Sequence, residues 1–389
     1  ASDVYKRQSI TWSFCIKDEE EKKLIIQNTH IEINLKNLEH NLNFIRSKIS
    51  EKTKILCVVK AFGYGSEPIE IAKRLEDNKV DYLAVAYSNE GIELRKSGIT
   101  TPILVLHPQT DDFDEIVKYQ LEPNIYSFRI LESFLKKSGN QKEYPFHLKF
   151  NTGLNRLGFS FSDVEDIYRK ISCLQSVKIK YIFSHLGASE DFNEKDFTQN
   201  QIKLFEKISK KMSTIFQMNF KKHLLNTSGV MNYSKFQYDM VRTGIGLYGY
   251  GNDDKYEKFF KPVLSLKSII SQIHEIKKGD SVGYNRGFIA TKDTRVGIIP
   301  IGHADGISRS FGNGRASFII NGMKAKIIGN VCMDMLMVDI SKIQCAEGDE
   351  VIIIDSNSQN ADQLAKQNSS ISYEVLTSLS NRIKRIFIK

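Results

Sequence analysis

Lys60 ends the apolar run Ile55-Leu-Cys-Val-Val59 and opens the turn Ala61-Phe-Gly-Tyr-Gly65. An amine at the mouth of a buried strand must be solvated, paired or put to use. Desolvation lowers its pKa, which suits an amine that forms Schiff bases with carbonyl compounds. Taken alone, a lysine at a strand exit reaches solvent more often than it does chemistry. Two later stretches, Asn226-Thr-Ser-Gly229 and Arg242-Thr-Gly-Ile-Gly246, combine glycines with hydroxyls. Glycines let backbone N–H groups approach an anion, and hydroxyls add donors. Either turn alone is weak evidence; together, after successive strands, they describe a phosphate site.

The elements that position these residues alternate. Runs at 54–59, 81–86, 102–106, 122–126, 146–150, 180–184, 222–225 and 240–247 predict strands, and several are nearly continuous in apolar residues, as strands buried on both faces are. Amphipathic helices are predicted between them, for example over 67–76, 90–96, 162–171 and 199–215. This rhythm is that of a (β/α)₈ TIM barrel, whose active site lies at the C-terminal strand ends and whose seventh and eighth loops bind phosphate. A doubly wound open sheet is the competitor, though it would more often stop at fewer strands. After Tyr250 short strands separated by Gly, Asn and Asp turns predict a mostly-β domain, with an Asn321-Gly322 hairpin signal. The division is therefore a barrel over 16–255 and a β-rich domain over 256–389. Residues 1–15 share no periodicity with the rest of the chain and are read as a leader outside the fold, non-native or disordered.

Bulk composition narrows the function. No apolar run approaches the ~18 residues of a membrane span. Cys15, Cys57, Cys173, Cys332 and Cys345 are scattered, with no CxxC pair, which argues for reduced thiols in the cytoplasm and against a zinc site. The formal charge of +9 is spread along the chain among 46 acidic residues. It reads as a solvated surface and not as a nucleic-acid or membrane footprint.

The motifs resemble those of one family. Val58-Val-Lys-Ala-Phe-Gly-Tyr-Gly65 is similar to the cofactor-lysine motif of alanine racemases, and His147-Leu-Lys-Phe-Asn-Thr-Gly-Leu-Asn-Arg-Leu-Gly158 to their second signature. Met240-Val-Arg-Thr-Gly-Ile-Gly-Leu-Tyr-Gly249, Ile301-Gly-His-Ala-Asp-Gly306 and Gly329-Asn-Val-Cys-Met-Asp334 come after them in order, so the resemblance spans about residues 30 to 389. It implies a pyridoxal 5'-phosphate enzyme that interconverts L- and D-alanine with two bases, Lys60 on one face of the substrate and Tyr284 on the other. It also implies a homodimer with shared sites, in which the β-domain of one subunit covers the barrel mouth of the other. D-Alanine would then feed peptidoglycan. A phenol used as a base asks for cationic neighbours, and Arg156 and Arg309 match positions near the site.

By the same resemblance Arg242 hydrogen-bonds the pyridine nitrogen and His185 supports it. Phosphate contacts fall to Tyr64, Thr227 (serine in most members), Gly244, Ile245 and Tyr373, with Asn226 alongside. Met333 and Asp334 match residues beside the substrate carboxylate, and Lys149 a lysine that is carbamylated in some members. One departure stands out: His303 replaces a tyrosine of the substrate gate, which opens the substrate range to serine, lysine or arginine. A decarboxylase of the same fold, a non-catalytic pyridoxal-phosphate carrier and a broad-specificity racemase are the alternative readings.

Overall fold

The computed structural model describes residues 28–389, and the leader assigned to residues 1–15 lies outside the described residues. The first strand, β1 (His30–Asn34), is followed by eight parallel strands closed into a barrel: β2 (Lys54–Val58), β3 (Tyr82–Val85), β4 (Ile103–Val105), β5 (Glu122–Ile125), β6 (Tyr144–Lys149), β7 (Val177–Phe183), β8 (Lys222–His223) and β9 (Met240–Thr243). Closure comes from β2 pairing with β9, Leu56 opposite Arg242. Ile55, Leu56 and Cys57 are fully enclosed, as the continuous apolar run requires. Helices return the chain between strands. In Lys195–Phe216, Ile202, Phe205, Ile208 and Met212 form the buried stripe.

Because all barrel strands run the same way, their C-terminal ends share one mouth. The sequence reading extended β9 to residue 247; it ends at Thr243 instead. There Leu247 N–H donates to Gly244 O and Tyr248 N–H to Ile245 O, so Gly244–Gly246 turns inward across the mouth.

The second domain is a nine-stranded sheet. Its strands beyond the barrel are β10 (Leu264–Ile269), β11 (Gln272–Ile276), β14 (Thr294–Ile299), β15 (Ser317–Ile320), β16 (Met323–Ile328), β17 (Leu336–Asp339), β18 (Glu350–Ile354) and β19 (Lys384–Ile388), with β12 (Ser281–Val282) and β13 (Phe288–Ile289) as a separate ribbon. β10 stops at Ile269 and β11 begins at Gln272. Asn321 and Gly322 take φ of 48° and 75° between β15 and β16, the conformation a two-residue hairpin loop of type I′ needs.

One strand crosses the predicted division. β1 precedes the barrel in the chain but pairs antiparallel with β10 and parallel with β19. Its alternation of buried Ile31 and Ile33 with half-exposed neighbours is the pattern of a sheet strand with two unlike faces, unlike the wholly buried barrel strands. The two domains are further joined where the Arg385 guanidinium donates to Gly65 O at 3.0 and 3.2 Å.

Candidate active site

Strand β2 delivers Lys60 to the mouth, and the turn after it is strained. Ala61, Phe62, Gly63, Tyr64 and Gly65 have φ of 53°, 54°, 60°, 52° and 79°. A left-handed turn costs roughly 1–2 kcal/mol for each residue with a Cβ, so something must hold it. Glu90 does: its carboxylate accepts from Ala61 N at 2.8 Å, and from Ala86 N and Tyr87 N at 2.7 and 3.1 Å. Only glycine fits at 65, where a Cβ would lie 2.1 Å from Leu376 O. Burial, reinforced by the positive charge of Arg156 and partly offset by Glu90, holds the Lys60 amine below the usual lysine range. It is thereby nearer the neutral, nucleophilic form.

Across the mouth the two glycine-hydroxyl turns meet. Thr227 opens the short helix Thr227–Asn232, whose N-cap Asn226 accepts from Gly229 N at 2.9 Å and from Ser189 Oγ at 2.8 Å. Thr227 Oγ1 accepts from the backbone N–H of Gly244 and Gly246 at 3.3 and 3.4 Å. Tyr64 stacks on Tyr248 with centroids 4.4 Å apart and lies tilted against Tyr373. Tyr373 comes from the helix Ser372–Ser378 of the second domain; burial pushes its phenol up to about 12, and it accepts from Asn252 Nδ2 at 2.8 Å. A Cβ on Gly244 would sit 2.5 Å from the Tyr64 hydroxyl. Since Tyr248 pins the Tyr64 ring from behind, Gly244→Ala is expected to cost ~1–3 kcal/mol of stability by overpacking. It should also weaken binding of a phosphate-bearing ligand at least tenfold. Thermal melts with and without pyridoxal phosphate measure both effects.

Between amine and cradle lies a cavity of about 720 Å³, lined by Lys60, Tyr64, Lys149, Arg156, His185, Asn226, Thr227, Arg242, Gly244, Ile245 and Tyr373 among others. No carboxylate is among its described lining residues. Such a cationic cavity favours anions. Arg242 is buried, donating to Ser184 O, Leu224 O and His185 Nδ1 at 2.8, 2.9 and 3.1 Å and to His223 Nδ1 at 2.7 Å. Burial and Arg156 lower its pKa to about 9. His185 is held well below the usual histidine range by burial and by Arg242, which keeps it neutral. Lys149, at the end of β6 beside the Phe183 ring, is lowered to about 7 by burial, then by Arg156, Arg242 and Lys60.

The comparisons with known proteins agree on one family. Residues 33–252 match the N-terminal domain of alanine racemase and residues 263–387 its C-terminal domain. The chain belongs to the alanine racemase family. The alanine racemase of Thermodesulfovibrio yellowstonii is 37% identical over 366 residues, covering 92% of this chain and 97% of that protein. The solved alanine racemase of Clostridium difficile 630 superposes with a TM-score of 0.87 at 32% identity, over 94% of this chain and 96% of the other. That of Bartonella henselae, solved with covalently bound pyridoxal phosphate, gives 0.84 at 26% identity, over 92% and 99%. Enzymes of this family are amino-acid racemases, a class of isomerase.

The remaining residues that resemblance to alanine racemases singles out, Tyr284, His303, Arg309, Met333 and Asp334, do not line the cavity of their own chain. All five belong to the second domain. His303 N–H donates to Cys332 O at 2.9 Å and Ala304 N–H to Met333 O at 3.0 Å, while Asn330 Nδ2 donates to Tyr284 O at 3.0 Å. Tyr284 is 73% exposed and Met333 58%. Asp334 is paired with Arg382 at 2.6 Å. Tyr284 opens a tight turn in which Asn285 and Arg286 take positive φ.

Sequence reasoning missed His223, the nearest side-chain partner of Arg242, and Glu90. His223 sits inside the predicted strand at 222–225, Lys-His-Leu-Leu, and the only signal was an imidazole directly before its two leucines. Glu90 looks like any first-turn helix carboxylate.

Proposed function

We propose that the protein interconverts L- and D-alanine with pyridoxal 5'-phosphate, as a homodimer whose sites take residues from both subunits. The observation that carries this reading is one cavity joining a depressed lysine amine, a donor-only arginine and an anion cradle that a Cβ at 244 would fill. These residues fit the cofactor: Thr227 Oγ1 and the N–H groups of Gly244 and Ile245, with Tyr64 and Tyr373, would hold the phosphate. Asn226 shapes that end as the helix cap. Lys60 would hold the aldehyde carbon, and Arg242 would donate to the ring nitrogen.

When bound, the cofactor supplies a conjugated ring over which the electron pair on the substrate α-carbon spreads as its proton leaves. The chain supplies the proton chemistry. Lys60 Nζ takes or returns the proton on one face, and Tyr284 of the partner subunit serves the other through its phenol oxygen. Arg242 only donates, so it would hold the ring nitrogen by a hydrogen bond without passing it a proton, which would discourage side reactions such as transamination. Arg156 faces the cavity and, with Met333, Asp334, His303 and Arg309 of the partner subunit, would bind the substrate and shape its access.

Lys149 gains a role from its environment. A lysine lowered to about 7 is largely neutral above that pH, and a neutral amine adds carbon dioxide to give a carbamate and a proton. The new carboxylate would orient Arg156. Carbamylation should therefore increase as pH rises through about 7. Isotope-labelled bicarbonate is expected to give a carbamate carbon resonance that Lys149→Ala removes. Its absence at alkaline pH would leave Lys149 as a free amine.

Chiral chromatography of products from L-alanine, L-serine and L-lysine tests the reading, with carbon dioxide measured in parallel. D-Alanine as the main product, without gas release, supports it. Release of carbon dioxide from a basic amino acid overturns it in favour of a decarboxylase. His303 at the gate favours the second reading, a broader racemase, which comparable turnover of serine or lysine would establish. With bacterial relatives of matching length, the product would supply peptidoglycan synthesis from the cytoplasm.

A further inference from the structure

Beneath Arg242 the barrel interior holds a continuous line of polar side chains that take no part in the proton transfers at the substrate. His223 Nε2 lies 3.0 Å from His147 Nδ1, and His147 Nε2 lies 3.0 Å from Glu122 Oε2. Glu122 Oε1 accepts from Lys180 Nζ at 2.6 Å, and the lysine side chain is 36% exposed. Both imidazoles are fully enclosed. The Phe183 ring stacks on His223 with centroids 4.4 Å apart, and Tyr181 lies 4.9 Å from His147.

The proton positions in this line are forced. Arginine has only donors, so His223 Nδ1 must accept and its proton must sit on Nε2. That N–H donates to His147 Nδ1, which places the second proton on His147 Nε2. The last N–H meets a carboxylate, which has only acceptors. Any doubly protonated imidazole would set N–H against N–H, and burial also disfavours both charged histidines.

We propose that Glu122 is a positioning residue for Arg242, aligning His147 and His223 into a one-way donor chain that fixes the guanidinium toward the cavity. This rests on the reading of Arg242 as the donor to the cofactor ring. Lys180 makes the idea testable. In Glu122→Gln the shorter contact to Lys180 Nζ, which only donates, holds the amide oxygen, so its NH₂ faces His147 Nε2 and the Tyr82 hydroxyl, which donates to Glu122 Oε2 at 3.3 Å in the native protein and turns to accept. The chain then reverses, and His223 Nδ1–H is turned against Arg242. Removing Lys180 as well frees the amide to rotate and restores the original direction.

Long-range proton–nitrogen correlation on isotope-labelled histidines reads the tautomers in cofactor-free protein. His147 and His223 should both carry Nε2–H in the native protein, Nδ1–H in Glu122→Gln and Nε2–H again in Glu122→Gln/Lys180→Met. In the loaded enzyme kcat should fall about tenfold in the single variant, with KM for alanine little changed, and recover in the double. A merely structural role predicts a double variant worse than the single one, which would overturn the proposal. So would unchanged tautomers in Glu122→Gln. If that variant does not fold, Nδ1–H on His223 in the native protein overturns it alone. Tautomers that follow the pattern in a protein inert on alanine would keep the chain and reject the racemase reading.

Discussion

Lys60→Ala is expected to abolish racemisation and the visible colour of bound cofactor together, while the fold is kept. The loss in kcat should be at least about a thousandfold, because one side chain supplies both the covalent hold and one of two bases. Stability should change little. Lys60 is half-buried among Arg156 and Lys149, and its lowered pKa means that the folded state holds its charge at a disadvantage. Alanine removes that disadvantage along with some packing of the stem. A melting temperature within a few degrees of native, with colour and activity both gone, is the expected combination. Retained colour would move cofactor attachment to another amine, with Lys149, which also lines the cavity, the candidate.

What the sequence disclosed, and what it hid, comes down to geometry. Barrel strands were legible because a strand buried on both faces must be apolar at every position, as in Ile55–Val59. The β-domain hairpin at Asn321-Gly322 was legible because positive φ at two adjacent residues demands those residue types. β1 was assigned with the barrel because chain order says nothing about which sheet a strand joins. The inward turn at Gly244 was read as more strand, since Ile245 and Leu247 keep the apolar pattern while the glycines change direction. Lys60, Arg242 and the two glycine turns announced themselves at strand ends. Glu122, His147 and His223 did not: they meet only once β5, β6 and β8 close around one axis. Tyr373 reaches the cavity through a helix of the second domain, a placement that no local periodicity encodes.

Mixing two dead variants should restore activity. Lys60→Ala and Tyr284→Phe each remove one base, and each homodimer is expected to be inactive. If Tyr284 serves the partner's Lys60, a hybrid dimer contains one site with both defects and one with neither. Random exchange makes half the dimers hybrid, so activity should return to about a quarter of the native value per subunit. A site completed within one chain gives no recovery at any mixing ratio. Two observations support the shared arrangement. Tyr284 does not line the cavity that holds Lys60, and it is largely exposed beside Met333 on the second domain. An exposed phenol and thioether held on loops tied together by His303 and Asn330 form a ready-made contact surface, not random solvent-facing side chains. Activity in the mixture must also lag subunit exchange, so a dilution series followed by light scattering separates complementation from contamination by native protein. Recovery that appears instantly on mixing, before exchange, would count against shared sites.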